Sequence, residues 1–365
     1  MRNFIIILFL LFVVPSSANA FSIDSYVETS GQLTLTGVFE AKATSSPIMH
    51  DDMEGGTVDL TLSTGPKGWV DQNGGSLYTD TQAYSGSLSA YNYVERDSEG
   101  NIIGRDGFAT SYIEFTNTDT VFLSYRFRIS NPTVGGYGVQ KGCRIAGPDA
   151  TTAHYSGPGT LKIQQINPSV EYKYDVNTYD PGDGDTSIGD LILGEDEWFK
   201  IDVIHSLSTP GSADGETSIT VSNGQTTINK NIMNRNGGET FTLNSVLLGL
   251  MCPNIGNDTP VGIWPAKIEM FIDDVYIDNT IARIVVCDAS TTTNATVSVE
   301  QNHFSWSTSD IGFVKSIGKF SDDQDLWAIV IFSDESEVSI KIQNAPSDTG
   351  VSGATNVDGG ILNFI

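Results

Sequence analysis

Ile272-Asp273-Asp274-Val275-Tyr276-Ile277-Asp278 sets two adjacent carboxylates inside an otherwise apolar strand pattern. A carboxylate in a buried strand is costly unless something pairs with it. Far upstream, Ile48-Met49-His50-Asp51-Asp52-Met53-Glu54-Gly55-Gly56 carries a second acidic cluster at the start of a long β-rich region. A shared Ca²⁺, which takes several hard oxygen ligands, would satisfy both clusters. The two segments are therefore expected to open and close one β-sandwich. Asp52, Glu54, Asp273 and Asp274 are the candidate Ca²⁺ ligands, with Asp51 in reserve. Neighbours on a strand point to opposite faces, so only one of Asp273 and Asp274 is expected to enter such a site directly. The competing reading is a pair of solvated carboxylates that discourage edge pairing.

Between the clusters the pattern is strand and turn. In Val121–Ile129, Leu123, Tyr125, Phe127 and Ile129 share one face, and Ser124, Arg126 and Arg128 the other. Trp198–Leu207 alternates in the same way, with Phe199, Ile201 and Val203 opposite Lys200 and Asp202. A Pro210-to-Gly215 turn and the run Thr217–Val221 follow, which together predict a long-loop hairpin. Ser111–Phe115, Leu161–Ile166, Leu243–Met251 and Lys267–Ile277 are further strands, and no stretch predicts a helix beyond two turns. After a Ser/Thr/Ala run at 288–294 come Leu326–Phe332 and the alternating Val338, Ile340 and Ile342. These predict a small immunoglobulin-like sandwich over 290–345.

At the other end, Arg2, the apolar run Phe4–Val14 and Ala18-Asn19-Ala20 read as an export signal over residues 1–20. The run is short for a transmembrane span and no later stretch is apolar enough, so no membrane insertion is expected after cleavage. Residues 21–47 predict a leader strand, Gln32–Gly37, and a linker. The Gly/Ser/Asp-rich end, 346–365, predicts a flexible tail. A secreted, periplasmic or cell-surface location follows, and it permits a disulfide among Cys143, Cys252 and Cys287. Three buried thiols are the alternative, because no spacing matches a metal motif.

The formal charge is −26, which argues against nucleic acid or an anionic membrane as partner. Against that background the window Arg126–Lys173 is net positive: Arg126, Arg128, Lys141, Arg144, Lys162 and Lys173 face only Asp149 and Glu171. Arginine forks hold carboxylates and sulfates bidentately. A polysaccharide, and an acidic one above all, is the ligand such a surface would take, with Arg126, Arg128, Lys141, Arg144, Lys162 and Gln164 as candidate contacts. Ordinary salt bridging to the acidic remainder is the plainer reading of the same residues. There is no G-x-S-x-G elbow and no H-E-x-x-H pair.

The frame of Asp51-Asp52-Met53-Glu54-Gly55, then Trp198-Phe199-Lys200-Ile201-Asp202 with Thr209-Pro210-Gly211 and Asp214-Gly215, then Phe271-Ile272-Asp273-Asp274-Val275-Tyr276, resembles the concanavalin-A-like jelly rolls. That group includes legume-lectin-like and laminin-G-like modules and the heparin/glucuronan type of polysaccharide lyase. The resemblance covers roughly 50–285. It implies an all-β fold, a two-sheet antiparallel jelly roll over 48–285, with a concave sheet face that binds glycan and, as in related carbohydrate-binding modules, a structural Ca²⁺. It also implies a second activity to weigh against binding, β-elimination on a uronate polymer. That chemistry needs a carboxylate neutraliser, a base and an acid. Arg126 or Arg144 would neutralise, and His154, His205 or Tyr137 would act as base. The alginate-lyase signature, an Arg-rich strand followed by Gln-Ile-His and a Tyr-Lys-rich strand, is not reproduced: Ile163-Gln164-Gln165-Ile166 is followed by Asn167 where the His would stand. A structural or adhesive surface protein is the third class.

Overall fold

The computed structural model describes residues 21–72, 74–97, 110–130, 140–147, 161–165, 173–180, 184–192, 196–221, 227–232, 242–251, 266–316, 320–321 and 324–343. The export signal, the Gly/Ser/Asp-rich end, Tyr137, His154 and Cys252 lie outside these residues.

The first strands are β1 (Ser22–Thr29), β2 (Gln32–Val38), β3 (Met49–Asp51), β4 (Val70–Gln72), β5 (Leu77–Thr79), β6 (Ser89–Arg96), β7 (Thr110–Thr118) and β8 (Thr120–Ser130). The middle of the chain gives β9 (Gln140–Ala146), β10 (Leu161–Gln165), β11 (Lys173–Asp180), β12 (Gly184–Ile192), β13 (Phe199–Ser206), β14 (Gly215–Val221), β15 (Thr227–Ile232) and β16 (Leu243–Met251). Then come β17 (Ala266–Asp278), β18 (Arg283–Cys287), β19 (Ser298–Glu300), β20 (Asn302–Trp306), β21 (Asp310–Val314), β22 (Leu326–Ile331) and β23 (Glu337–Gln343). The only helical turns among the described residues are two short 3₁₀ segments. No described helix is long and apolar enough to cross a membrane.

The fold is all-β and antiparallel. An eight-stranded sheet runs β15-β14-β13-β8-β17-β6-β5 with β3 on β17, and a seven-stranded sheet runs β12-β11-β10-β9-β16-β7-β4. The alternation expected on β8 and β13 places Leu123, Tyr125, Phe127, Ile129, Phe199, Ile201 and Val203 in one core with Cys143, Ile145, Val246 and Leu248 of the seven-stranded sheet. The predicted hairpin is β13–β14, in register from Ile201↔Val221 to Ser206↔Glu216.

A second core lies between two four-stranded sheets, β1-β2-β21-β20 and β19-β18-β22-β23. Here the domain borders differ from the sequence expectation. Residues 21–47 are no free leader: Leu33 and Leu35 of β2 are fully buried among Ile284, Val286, Ile311, Phe313 and Val330. Likewise β18 pairs with β19 and β22, so the first sandwich ends with β17, ahead of residue 285. The apolar face of β2 has no partner within its own hairpin, and strands from the chain's other end supply one.

Candidate functional site

The two acidic segments do meet. β3 pairs with the second half of β17 (Asp51↔Val275, His50↔Tyr276), while β6 pairs with the first half up to Ile272↔Ala90. Asp273 and Asp274 sit where β17 changes neighbour. On its other edge the register to β8 slips between Asp273↔Arg126 and Tyr276↔Ser124, and Asp274 adopts φ 48°. This is a bulge. Asp273 Oδ2 accepts from the amides of Tyr84 (2.8 Å) and Ser85 (3.0 Å), and its Oδ1 accepts from the amide of Asp274 (2.8 Å). Ser85 Oγ donates to Asp274 Oδ1 (2.8 Å). Burial raises the pKa of both carboxyls, helped at Asp273 by the Asp274 charge and at Asp274 by Glu300 and Asp52.

The upstream acids are employed in the same way. Asp51 accepts from Trp69 Nε1 (2.7 Å) and the Met53 amide (2.9 Å), and Asp52 from the Glu54 amide (3.3 Å). Glu54 Oε1 accepts from the amides of Ser87 and Leu88, both at 2.7 Å. That carboxylate fits because residue 86 is glycine: a Cβ there would lie 2.4 Å from Glu54 Oε1. Of the expected Ca²⁺ ligands, Asp273 gives both oxygens, and Asp52 and Glu54 one each, to backbone amides, while Asp274 accepts from the Ser85 hydroxyl. Among the described residues no group of three His, Cys, Asp or Glu side chains is placed to hold a metal ion. The acids are there because a bulge and two tight loops leave amides that need acceptors.

The outer face of the eight-stranded sheet was the expected ligand surface, and the second sandwich covers part of it. Arg126 is 5% exposed, donates through Nη2 to the Ser298 carbonyl and lies 4.2 Å over the Tyr84 ring. Lys200 Nζ sits 2.5 Å from Glu300 Oε1 and 3.2 Å from Asp202 Oδ2. Against the upward push of burial, Lys200 and Arg283 hold the Asp202 carboxyl below the usual range. Arg283 lies over Phe122 at 4.2 Å. Arg126 is thus part of an interdomain seam, not of an open face. Arg128, two residues on, escapes the seam and pairs with exposed Asp196 at 3.2 Å.

The other basic candidates gather on the seven-stranded sheet. Arg144 pairs with Lys162 across β9–β10 and with Leu247 across β9–β16. The row continues to Tyr112 on β7 and Asn177 on β11. A bulge beside Ile163 then brings Lys141 opposite Gln164, whose partner on the other edge is Asp175. By ladder parity Lys141, Arg144, Lys162 and Gln164 occupy positions on one face, the face turned away from Cys143 and Ile145. Arg144 is buried, Tyr112 half-buried and Glu114 exposed. Sequence reading missed Tyr112. Its signal was weak: it is one of two aromatics on β7, and the strand that links it to Arg144, β16, lies more than a hundred residues away.

His205 is excluded as a base. It has no solvent exposure, its Nδ1 is 2.8 Å from Thr217 Oγ1, and it shares the inward parity of Ile201 and Val203. Cys143 and Cys287 are free buried thiols, each pushed up to about 12, chiefly by burial.

No family model matches the sequence, and no curated protein does either. Among solved structures the chain is similar to the marine PL-14 alginate lyase from Aplysia kurodai, with 12% identity and a TM-score of 0.48 over 63% of this chain and 98% of that one. It is also similar to the endo-β-1,4-glucuronan lyase from the fungus Trichoderma reesei, with 11% identity, TM-score 0.44, over 65% and 97%. The cellulose-induced protein Cip1 gives 16% identity and TM-score 0.41, over 64% and 97%.

Proposed function

We propose that this is an exported protein that binds an acidic polysaccharide on the outer face of the seven-stranded sheet. One observation carries the reading: register places Lys141, Arg144, Lys162 and Gln164, drawn from two strands, on a single face, with Tyr112 in line. Guanidinium and ammonium groups at that spacing suit a chain of uronates or sulfates, and a tyrosine beside them suits a sugar ring. The expected alternative face, around Arg126, is closed by the second sandwich.

Titration of the full chain with alginate, glucuronan and heparin-like oligomers tests this. Binding should weaken with salt and vanish in Arg144→Ala/Lys162→Ala, while a neutral glucan should not bind. Unchanged binding in the double variant would remove this face from consideration. A lyase working on the same face would release unsaturated uronate, read by its ultraviolet absorbance in the same samples. Of its expected bases His205 is sealed in the core, while Tyr137 and His154 lie outside the described residues, so the absorbance reading decides between binding and turnover.

A further inference from the structure

Lys42 follows β2 on its way out of the second sandwich, and Asp278 ends β17 of the first. Their charged ends meet in the seam: Lys42 Nζ is 2.5 Å from Asp278 Oδ2, with the two side chains 2% and 0% exposed. Three further groups converge there. His303 Nε2 lies 2.9 Å from Lys42 Nζ, the Tyr276 hydroxyl donates to Asp278 Oδ2 at 3.0 Å, and the Asn279 amide donates to Oδ1 at 2.7 Å. The Trp306 ring, 5.1 Å from Nζ, closes one side.

We propose that Lys42 and Asp278 condense to an intramolecular isopeptide bond that covalently joins the two sandwiches. A salt bridge removed from water so completely is expensive to keep charged. Burial lowers the Lys42 pKa, against the pull of Asp278 and Glu40 and with the help of Arg283. Burial raises that of Asp278, against Lys42 and the amide and hydroxyl donors. Both partners are thus moved toward free amine and free acid, the forms that react. His303 is held at about 3 by burial, by the Lys42 charge and by His50, so its ring is neutral; the part of that depression owed to the Lys42 charge is lifted once the ammonium gives up its proton.

The step balances without any outside reagent. A proton passes from the Lys42 ammonium to Asp278 across their contact, leaving amine and acid. Nζ attacks Cγ, and the negative charge that develops on Oδ1 faces the Asn279 amide. Nζ gives a proton to His303 Nε2. The imidazolium returns it to the Oδ2 hydroxyl, the Cγ–Oδ2 bond breaks, and water leaves. Two buried charges become one neutral amide. The bond closes a loop between residues 236 apart in sequence, a constraint that falls almost wholly on the unfolded chain.

Mass spectrometry of the folded full chain tests the proposal. Intact mass should fall one water short of the sequence mass, after allowing for any leader removed. A tryptic digest should yield one branched peptide joining the Lys42 and Asp278 segments, with no cleavage after Lys42. Lys42→Arg keeps the positive charge and should restore the full mass. His303→Ala should fold but join slowly or not at all. Recovery of both segments as separate peptides from natively folded wild type would overturn the bond. Unslowed joining in His303→Ala would overturn the role given to the imidazole.

Discussion

The two outer faces of the large sandwich carry similar residues, each with a buried arginine, in different company. On the eight-stranded sheet, Arg126 and Lys200 stand on the polar side of β8 and β13, and the second sandwich lowers Ser298 and Glu300 onto them. On the seven-stranded sheet, Arg144 and Lys162 hold the equivalent polar positions of β9 and β10. The described polar contacts of the second sandwich fall on the eight-stranded sheet instead. A cation on the polar side of a strand therefore signals only that its side chain avoids the apolar core. Whether it meets solvent, a ligand or another domain is decided by what the rest of the chain brings to that face.

The contrast can be broken most forcefully at Lys200. If the seam is structural, Lys200→Met strands Glu300, 3% exposed, with Arg283 at 3.9 Å as its remaining cation. The loss should be about 3–5 kcal/mol, seen as a lower urea midpoint, with polysaccharide affinity intact at temperatures where the variant is folded. A stability change within about 0.5 kcal/mol would mean the seam is loosely held.

Arg144→Ala probes the opposite face. Removing a charge-assisted contact to a uronate should cost about 2 kcal/mol of binding, roughly a thirtyfold rise in Kd. Titration calorimetry measures it, and the midpoint of thermal unfolding checks that the variant is folded. Equal affinities for wild type and variant would leave the face without a ligand role.

The seam should also report on pH. His303 is fully buried and neutral in the folded state, its pKa lowered to about 3, whereas the unfolded chain titrates near the ordinary 6.5. A depressed folded pKa on a base gives stability that is present above the unfolded value and is lost as pH falls toward the folded one. Folding should weaken by roughly 1.4 kcal/mol for each pH unit below about 6.5 on this group's account. Urea midpoints at neutral and mildly acidic pH should show a shallower slope in His303→Gln than in wild type. Parallel slopes would mean that His303 takes up its proton as readily in the fold as in the unfolded chain.

How much of this was legible in the sequence follows from the range of the interactions. The alternation of β8 and β13 is local, and it placed their apolar faces in the core correctly. The pairing of the two acidic segments was readable because first and last strands of a sandwich often adjoin, yet their employment was not. That Asp273 would face two amides from the loop before β6 depends on where β17 changes neighbour, which no local pattern marks. The hairpin β1–β2 looked like a leader because Leu33 and Leu35 find their partners, Phe313 and Ile311, nearly three hundred residues away. Arg126 looked like a ligand contact for the same reason: the Ser298 carbonyl that holds it lies 172 residues downstream.

The smallest effect sharpens the contrast within one strand. Arg126 and Arg128 share a face of β8 and are two residues apart, but Arg126 is buried against the second sandwich and Arg128 is partly exposed. Arg128 keeps 18% of its side chain exposed and its partner Asp196 keeps 55%, a geometry in which water screens most of the attraction. Arg128→Ala should therefore cost less than about 1 kcal/mol, and the cost should shrink further in high salt. Arg126→Ala removes a guanidinium sealed between Tyr84 and the Ser298 carbonyl, takes from that carbonyl its charged donor, and should cost about 2 kcal/mol or more with little response to salt. Denaturation of both variants at low and high ionic strength measures the difference. If the two arginines responded alike, the cover would have to extend along the whole of β8, and the outer face of the eight-stranded sheet would offer no boundary between seam and surface.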